Sequence, residues 1–192
     1  APPMLGAGQR EKNIGRPLAV PIYHSVDEGE TLDAHETVRR DIAQLLSEQR
    51  LATLSTCNAQ GHPYASLIAF DVTPDLAGIV FATSRATRKF ANLTDNDHVA
   101  MLVENSRNLK SDIYEAMAVT ALGVVSELSG RSQEVAIARY IQKHPHLTKF
   151  IQAPSTAVLQ MAVDVFYLVN RFQKVMEYHV GRKADPAPGG DP

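Results

Sequence analysis

Residues 79–93 read Ile79-Val80-Phe81-Ala82-Thr83-Ser84-Arg85-Ala86-Thr87-Arg88-Lys89-Phe90-Ala91-Asn92-Leu93, and this stretch decides the fold. The apolar run 79–83 is typical of a buried strand, whereas Phe90 and Leu93 lie three residues apart, on one face of a short helix. Ser84 or Thr87 can cap that helix through a side-chain oxygen. The stretch therefore predicts a strand, a polar turn and a helix that begins with cations.

The start of this helix is a candidate phosphate site. Thr87, Arg88 and Lys89 stand where the first backbone N–H groups lack helical partners and the helix dipole is positive. Cations are unfavourable at this end of a helix unless they have an anionic partner. The alternative interpretation is a solvated basic turn in front of a packing helix, and the stretch alone does not separate the two.

The composition is that of one ordinary globular domain. The chain has 192 residues, of which 44% are hydrophobic. With 19 basic and 21 acidic residues, the net charge of −2 gives no indication of binding to nucleic acid or to an anionic membrane. The single cysteine, Cys57, excludes an internal disulfide and fits a cytoplasmic location. No apolar run approaches the roughly 18 residues of a membrane-spanning helix.

Proline and glycine divide the chain into three parts. Residues 1–30 contain four prolines and predict an extended or loosely ordered arm. Residues 31–182 form the predicted domain, and residues 183–192, again rich in proline and glycine, predict a disordered tail.

The domain alternates short apolar segments with turns. An amphipathic helix from Asp33 to about Gln49 comes first, and a second helix is predicted from about Ser132 to Lys143. The predicted antiparallel strands are 51–56, 63–70, 79–83, 98–103, 116–125, 162–169 and 174–180. Many short strands with few helices favour a closed or split β-barrel, because closure removes exposed sheet edges. We therefore predict a mainly β fold with peripheral α-helices.

The same segments offer what a flat, phosphorylated cofactor requires. FMN needs cations for its phosphate, backbone groups along a strand for the ring edge, and apolar surface for the ring face. Arg88 and Lys89 supply the cations, and the strand Ala65-Ser66-Leu67-Ile68 supplies the backbone groups. The residues thus suit a flat, phosphorylated cofactor such as FMN.

The order of several short motifs resembles that of a known superfamily. These motifs are LATLST at 51–56, GHPYAS at 61–66, FATS at 81–84 and TRKFANL at 87–93, and they continue at 104–108, 118–123 and 167–169. Together they resemble the FMN-binding split-barrel superfamily of pyridoxamine 5′-phosphate oxidase-like proteins, over about residues 34–180. The resemblance implies an antiparallel split β-barrel and a homodimer with FMN at the subunit interface.

The resemblance also implies the residues that bind the cofactor. Those expected at the isoalloxazine edge are Ala65, Ser66, Leu67 and Ile68. Those expected around the ribityl phosphate are Thr83, Ser84, Thr87, Arg88 and Lys89. Those expected to approach the flavin from the other subunit are Asn105, Arg107 and Asn108.

The implied activity is that of an FMN-dependent oxidoreductase acting on an unidentified small molecule. No side chain is assigned as a catalytic acid or base, because the flavin itself carries out the electron or hydride transfer. The stretch 178–182 differs from the arginine- and histidine-bearing segment with which true pyridoxamine phosphate oxidases bind substrate. The resemblance therefore implies the cofactor but not a vitamin B6 substrate.

Two other functions remain open on the same fold. One is a non-catalytic flavin-binding or sensing protein, because a fold does not fix a reaction. The other is a haem-utilisation relative in which His98 or His179 ligates iron. No metal site is otherwise predicted: the close pair His144 and His146 is interrupted by Pro145, which breaks the helical spacing that a metal pair uses.

Overall fold

The computed structural model of the protein describes residues 31–170 and 174–181. The predicted arm at 1–30 and tail at 183–192 lie outside the described residues. The strands are β1 (Leu51–Cys57), β2 (Pro63–Val72), β3 (Gly78–Ser84), β4 (His98–Glu104), β5 (Ala118–Glu127), β6 (Thr156–Asn170) and β7 (Lys174–His179). The helices are α1 (Thr31–Glu48), α2 (Arg88–Asp95), α3 (Asp112–Glu115), α4 (Gly130–Lys143) and α5 (Thr148–Ile151), with a 3₁₀ turn at Pro145–Leu147.

The strands form a closed antiparallel barrel. They pair in the order β3-β2-β1-β4-β5-β6-β7, and β3 pairs in addition with β6, so that β1 to β6 close on themselves and β7 extends the end of β6. In this register Thr53 of β1 faces Leu67 on one neighbouring strand and Leu102 on the other. The predicted mainly β barrel with peripheral helices is thereby confirmed.

Two apolar clusters pack on the two sides of the barrel wall. The interior is filled by alternate side chains of the strands, among them Leu54, Phe81 and Phe166, and α1 packs on it through residues such as Ile42. A smaller cluster lies outside the wall, where residues of β3 and β6 meet α4 and α5. Its buried members are Val80, Ala82, Ala136, Tyr140, Ile151 and Val158. This outer cluster holds α4 and α5 against the barrel.

Strand β6 is longer than the sequence pattern predicted. It begins at Thr156 rather than at 162, because its first residues are buried on both faces: Leu159 belongs to the interior cluster and Val158 to the outer one. A strand covered on both sides shows a continuous apolar run instead of alternation. The period-two signal therefore appears only from about Ala162 onward.

Strands β5 and β6 change register at a bulge. Leu122 pairs with Val165 and Gly123 with Val163, so β6 carries one extra residue at this point. A Cβ atom at position 123 would lie 2.0 Å from the carbonyl oxygen of Ala162. Only glycine allows the two backbones to approach this closely.

Helices α1 and α4 end beside each other and bond each other's last carbonyl groups. Nη1 of Arg50 donates to the carbonyl of Lys143 at 2.7 Å, and Nζ of Lys143 donates to the carbonyl of Leu46 at 2.8 Å. The same ammonium lies 4.2 Å from the centroid of the Phe70 ring. Burial lowers the pKa of Lys143 to about 8. The two helix ends thus satisfy carbonyls that have no partner within their own helices.

Candidate functional site

A cleft opens between the barrel wall and the helical segment α4–α5. We call it the side cleft; its volume is about 520 Å³, which suits a ligand of cofactor size. It is lined by Arg50, Leu51, Leu67, Ile68, Ala69, Ala82, Thr83, Ser84, Thr87, Lys89, Tyr140, His144, His146, Leu147 and Phe150. Six of the predicted cofactor residues are among these: Leu67, Ile68, Thr83, Ser84, Thr87 and Lys89.

One end of the side cleft is the start of α2. Thr87 caps this helix as predicted: its Oγ1 accepts a hydrogen bond from the Phe90 N–H at 3.3 Å. The same hydroxyl donates to the carbonyl of Ser84 at 2.9 Å and lies 3.0 Å from Oγ1 of Thr83. These bonds hold the turn between β3 and α2 so that three hydroxyl-bearing side chains face one end of the cleft.

The three cations of this turn have different surroundings. Lys89 lines the side cleft, and burial lowers the pKa of its ammonium. The Arg88 guanidinium is not in the lining and lies 5.9 Å from the centroid of the Tyr64 ring. Arg85 forms a two-point ion pair with Glu127 at the end of β5. Lys89 is therefore the cation of this turn that the fold presents to the cleft.

The middle of the side cleft is apolar. Leu67, Ala82 and Phe150 contribute to it, and the backbone of β2 runs along it at Leu67 and Ile68. Ala65 and Ser66, which precede them on β2, do not line the cleft. The Oγ of Ser66 is nevertheless buried and has no hydrogen-bond partner within the described chain. Ser66 pairs with Leu54, which is buried in the barrel interior, so its side chain lies on the face of β2 opposite to Leu67.

The other end of the side cleft consists of residues that sequence reasoning did not assign to the site. The Tyr140 hydroxyl donates to the carbonyl of Ala69 at 3.4 Å, and Nε2 of His144 donates to the carbonyl of Phe70 at 2.8 Å. The two rings are 4.7 Å apart. Burial raises the pKa of Tyr140 to about 12 and lowers the pKa of His144, so both side chains are neutral near pH 7.

The charges around the side cleft favour an anionic ligand. Lys89 stands at one end and Arg50 at the other, and the lining formed by the described residues contains no Asp or Glu. A flat group of FMN type fits these residues, because it combines an apolar ring system with a phosphate. Hydroxyl, amide and ammonium donors are the groups that bind phosphate.

The loop between β4 and β5 does not reach the side cleft of its own subunit. Oδ1 of Asn105 accepts a hydrogen bond from the Met117 N–H at 2.8 Å, which closes the base of the loop. Oδ2 of Asp112 accepts from the N–H of Arg107 at 2.8 Å, and Asn108 has a positive φ of 61°. Asn105, Arg107 and Asn108 are absent from the lining. A contact with flavin across a subunit interface stays a prediction.

The two histidines considered for iron also lie away from the side cleft. Nδ1 of His98 is 3.0 Å from the Asp97 carboxylate, and Nε2 of His179 is 3.2 Å from the Glu177 carboxylate. Within residues 31–170 and 174–181, no three His, Cys, Asp or Glu side chains are arranged to hold a metal ion. In the same ranges no helix has the length and apolar character needed to cross a membrane.

The residues missed by sequence reasoning come from distant parts of the chain. His144 bonds Phe70, which precedes it by 74 positions, and Tyr140 bonds Ala69, 71 positions away. The one available signal was the cluster His144-Pro145-His146, whose spacing indicated neither a metal site nor a cleft. Packing of α4 and α5 on the barrel, which the local pattern does not encode, brings these residues to β2.

The comparisons with known proteins agree with the fold. The family model described as pyridoxamine 5′-phosphate oxidase matches residues 38–170. A search of curated protein sequences gives no significant match.

Solved structures with a similar fold include proteins with different described properties. A heme binding protein from Mycobacterium smegmatis has a TM-score of 0.64 at 17% identity, over 71% of this chain and 56% of that one. The heme storage protein HutZ from Vibrio cholerae has a TM-score of 0.60 at 18% identity, over 69% and 93%. A Clostridium acetobutylicum protein related to general stress protein 26, of the pyridoxinephosphate oxidase family, has a TM-score of 0.54 at 15% identity, over 81% and 97%. At these identities the likeness concerns the fold alone, and this chain spans little more than half of the Mycobacterium protein.

Proposed function

Because the chain belongs to the pyridoxamine 5′-phosphate oxidase family, we propose that it binds FMN in the side cleft and acts as an FMN-dependent oxidoreductase on a small molecule. The observation that carries this proposal is the lining of the cleft: hydroxyls and Lys89 at the start of α2, an apolar middle, and no carboxylate from the part of the chain that the structure describes. The hydroxyls and Lys89 match the phosphate of FMN, and the apolar middle matches its ring system.

Each part of the side cleft has a distinct role in this proposal. The side chains of Thr83, Ser84 and Lys89, with the free N–H groups at the start of α2, bind the phosphate. The backbone of β2 at Leu67 and Ile68 bonds the ring edge. Phe150, 38% exposed, covers the ring face and reduces its contact with water.

The reaction chemistry belongs to the cofactor, which supplies electron or hydride transfer when bound. The chain binds and orients it and shapes the space for a second reactant. Tyr140 and His144 already use their protons in bonds to the carbonyls of Ala69 and Phe70. We therefore assign neither as a catalytic acid or base, and both act by keeping β2 and α4 in place.

We propose in addition that two copies of the chain associate through the outer face of the barrel. Leu67 on β2, Leu102 on β4 and Leu122 on β5 are 64%, 42% and 36% exposed on that face, and Thr53 of β1 lies between the first two. Exposed apolar side chains grouped in this way are typical of interaction surfaces. In such a dimer the partner's Asn105, the partner's Arg107 and the partner's Asn108 would approach the flavin.

The first test is the visible absorption spectrum of the purified protein, with mass spectrometry of what heat denaturation releases. We expect flavin bands close to equimolar with the chain and the mass of FMN. A colourless protein that also fails to take up added FMN would contradict the proposal.

Catalysis is tested separately by reducing the bound flavin with NADH or NADPH. Reoxidation coupled to a small-molecule substrate supports an oxidoreductase. A flavin that neither donor reduces supports a non-catalytic flavin-binding or sensing protein instead.

Haem is a second candidate ligand, and His146 is the observation that favours it. This histidine is exposed in the side cleft, and two of the similar structures are described as heme binding and heme storage proteins. Titration with haem should then give a Soret band that is lost in His146→Ala. A band lost instead in His98→Ala or His179→Ala would place the iron outside the cleft, and no band would exclude haem.

A further inference from the structure

We propose that Asn92 is a positioning residue for the phosphate end of the side cleft, acting through its bond to Thr56. It does not line the cleft itself. Its side chain fixes where α2 presents Lys89 and the free N–H groups of its first turn. This inference rests on the FMN site proposed above and assigns a residue that the site itself does not include.

Asn92 belongs to a buried chain of hydrogen bonds that runs from α2 to two strands. Its side chain is 6% exposed, and Nδ2 donates to Oγ1 of Thr56 at 2.9 Å. Thr56 is 1% exposed, and its hydroxyl donates in turn to the carbonyl of Tyr64 at 3.3 Å. The chain therefore links α2 through the end of β1 to the beginning of β2, the strand whose backbone faces the flavin ring in the proposal.

The apolar contacts of α2 do not fix its position as closely. The helix has eight residues, and its apolar side chains Phe90 and Leu93 are only partly buried against the barrel core. Apolar packing is non-directional, whereas a buried hydrogen bond has a preferred length and angle. A buried amide also costs desolvation, which an apolar side chain at position 92 would avoid. Only the Asn92–Thr56 pair supplies a directional bond that fixes the position of α2.

Helix α2 is held at two points, one in each of its turns. Thr87 ties the first turn to β3, and Asn92 ties the second turn to β1. Lys89 lies between these two points. With the second bond removed, the helix can pivot about Thr87, and displacements of about 1 Å are enough to weaken a charge-assisted contact.

The test compares binding of FMN with binding of riboflavin, which lacks the phosphate. In the double variant Asn92→Leu/Thr56→Val both polar groups are removed, so neither is left buried without its partner. We expect the Kd for FMN, measured by quenching of flavin fluorescence, to rise by roughly tenfold. The Kd for riboflavin should stay unchanged, so the preference for the phosphorylated flavin falls by the same factor.

Two controls separate positioning from general damage to the fold. Thr94→Ala changes an exposed residue of the same helix and should keep the wild-type ratio of the two Kd values. Thr56→Ser keeps a hydroxyl that can accept the Asn92 bond, so it should also keep the wild-type ratio of the Kd values for FMN and riboflavin. If the double variant fails to fold because the introduced leucine and valine do not pack, the Asn92→Ala single variant is compared with the wild type by the same two Kd values.

The outcomes distinguish this inference from the proposed function. Wild-type protein that prefers FMN to riboflavin, with a folded double variant that keeps the same preference, would overturn the role of Asn92 and leave the FMN site intact. Wild-type protein that binds neither flavin, or binds both equally, would overturn the phosphate site and this inference together.

Discussion

Single residues of the β3–α2 turn differ in what they contribute, although all its cations look alike in the sequence. Arg85 is neutralised by Glu127, and Arg88 lies over the Tyr64 ring. Lys89 alone of the three is in the lining of the side cleft. Local sequence therefore located the cations beside the side cleft but could not rank them, because the partners of Arg85 and Arg88 lie on other strands.

The first prediction concerns these cations. Lys89→Ala should raise the Kd for FMN by roughly ten- to a hundredfold, because one charge-assisted phosphate contact is worth about 1.5–3 kcal/mol. Arg88→Ala should raise it by a smaller factor, and the double variant should release flavin during purification. Lys110→Ala, in the β4–β5 loop, is the matched control. Equal losses for Arg88→Ala and Lys89→Ala would contradict the assignment of the phosphate to this cleft.

His144 gives a second prediction, on the pH dependence of stability. Because burial lowers its pKa in the folded protein below the ordinary value of 6.5, the unfolded chain binds more protons as the pH falls. The contribution is fully present above about pH 6.5 and is lost below it. The free energy of unfolding in urea should therefore decrease from pH 7 to pH 5. His144→Gln should show a shallower decrease, and an identical slope would contradict the assignment.

Secondary-structure elements were predictable where one face is exposed and not where both are covered. The alternation in β4, with Val99, Met101 and Val103 buried, identified that strand. The first residues of β6 gave no alternation, because they separate two apolar clusters. The short helix α3 was not predicted, since a four-residue helix has too few positions to show a period.

The paired ends of α1 and α4 give a third prediction. Burial lowers the pKa of Lys143 to about 8 in the folded protein, so the unfolded chain binds more protons between pH 8 and its ordinary value of 10.5. Stability should therefore rise over this range, by on the order of 1 kcal/mol once solvent screening is allowed for. Lys143→Met should abolish the rise, whereas Lys149→Met, at an exposed lysine, should keep it. The free energy of unfolding of both variants is measured by denaturant titration between pH 7.5 and 10.

The bulge between β5 and β6 gives a fourth prediction. Gly123→Ala would place a methyl group 2.0 Å from the Ala162 carbonyl oxygen, so the strands must separate. The free energy of unfolding should fall by about 3 kcal/mol, at the upper end of the cost of overpacking. Ser126→Ala, at an exposed position of the same strand, should change it by less than about 0.5 kcal/mol. A Gly123→Ala variant as stable as the wild type would show that the bulge tolerates a side chain.

At the scale of the whole molecule, the class of fold was predictable and the side cleft was not. The number and spacing of short strands favoured a closed barrel, because closure is the general solution for many short strands. The cleft depends on where α4 and α5 pack, and their apolar faces do not specify which part of the wall they cover. The pairing of β3 with β6 determines where α4 and α5 pack, because the two paired strands form the surface that these helices cover.

The fifth prediction tests association of two chains. Leu102→Glu places a charge in the middle of the exposed apolar face, beside Thr53. Light scattering after gel filtration should give the mass of a dimer for the wild type and of a monomer for the variant. Val135→Glu is the matched control, because Val135 is 56% exposed on α4, outside that face. A wild-type monomer, or a Leu102→Glu dimer, would contradict the proposed interface.

We expect the pairing of β3 with β6 to form late in folding. The β1–β2 hairpin joins neighbouring segments and closes a short loop, whereas the β3–β6 ladder joins Gly78 to Ala162 and Ser84 to Thr156. Long-range pairing of this kind is slow, because the loop-closure entropy must be overcome before the contacts form. The walls of the side cleft exist only after this ladder has formed. A ligand of the cleft therefore joins a chain that is already folded, and it stabilises that chain by mass action rather than guiding its folding.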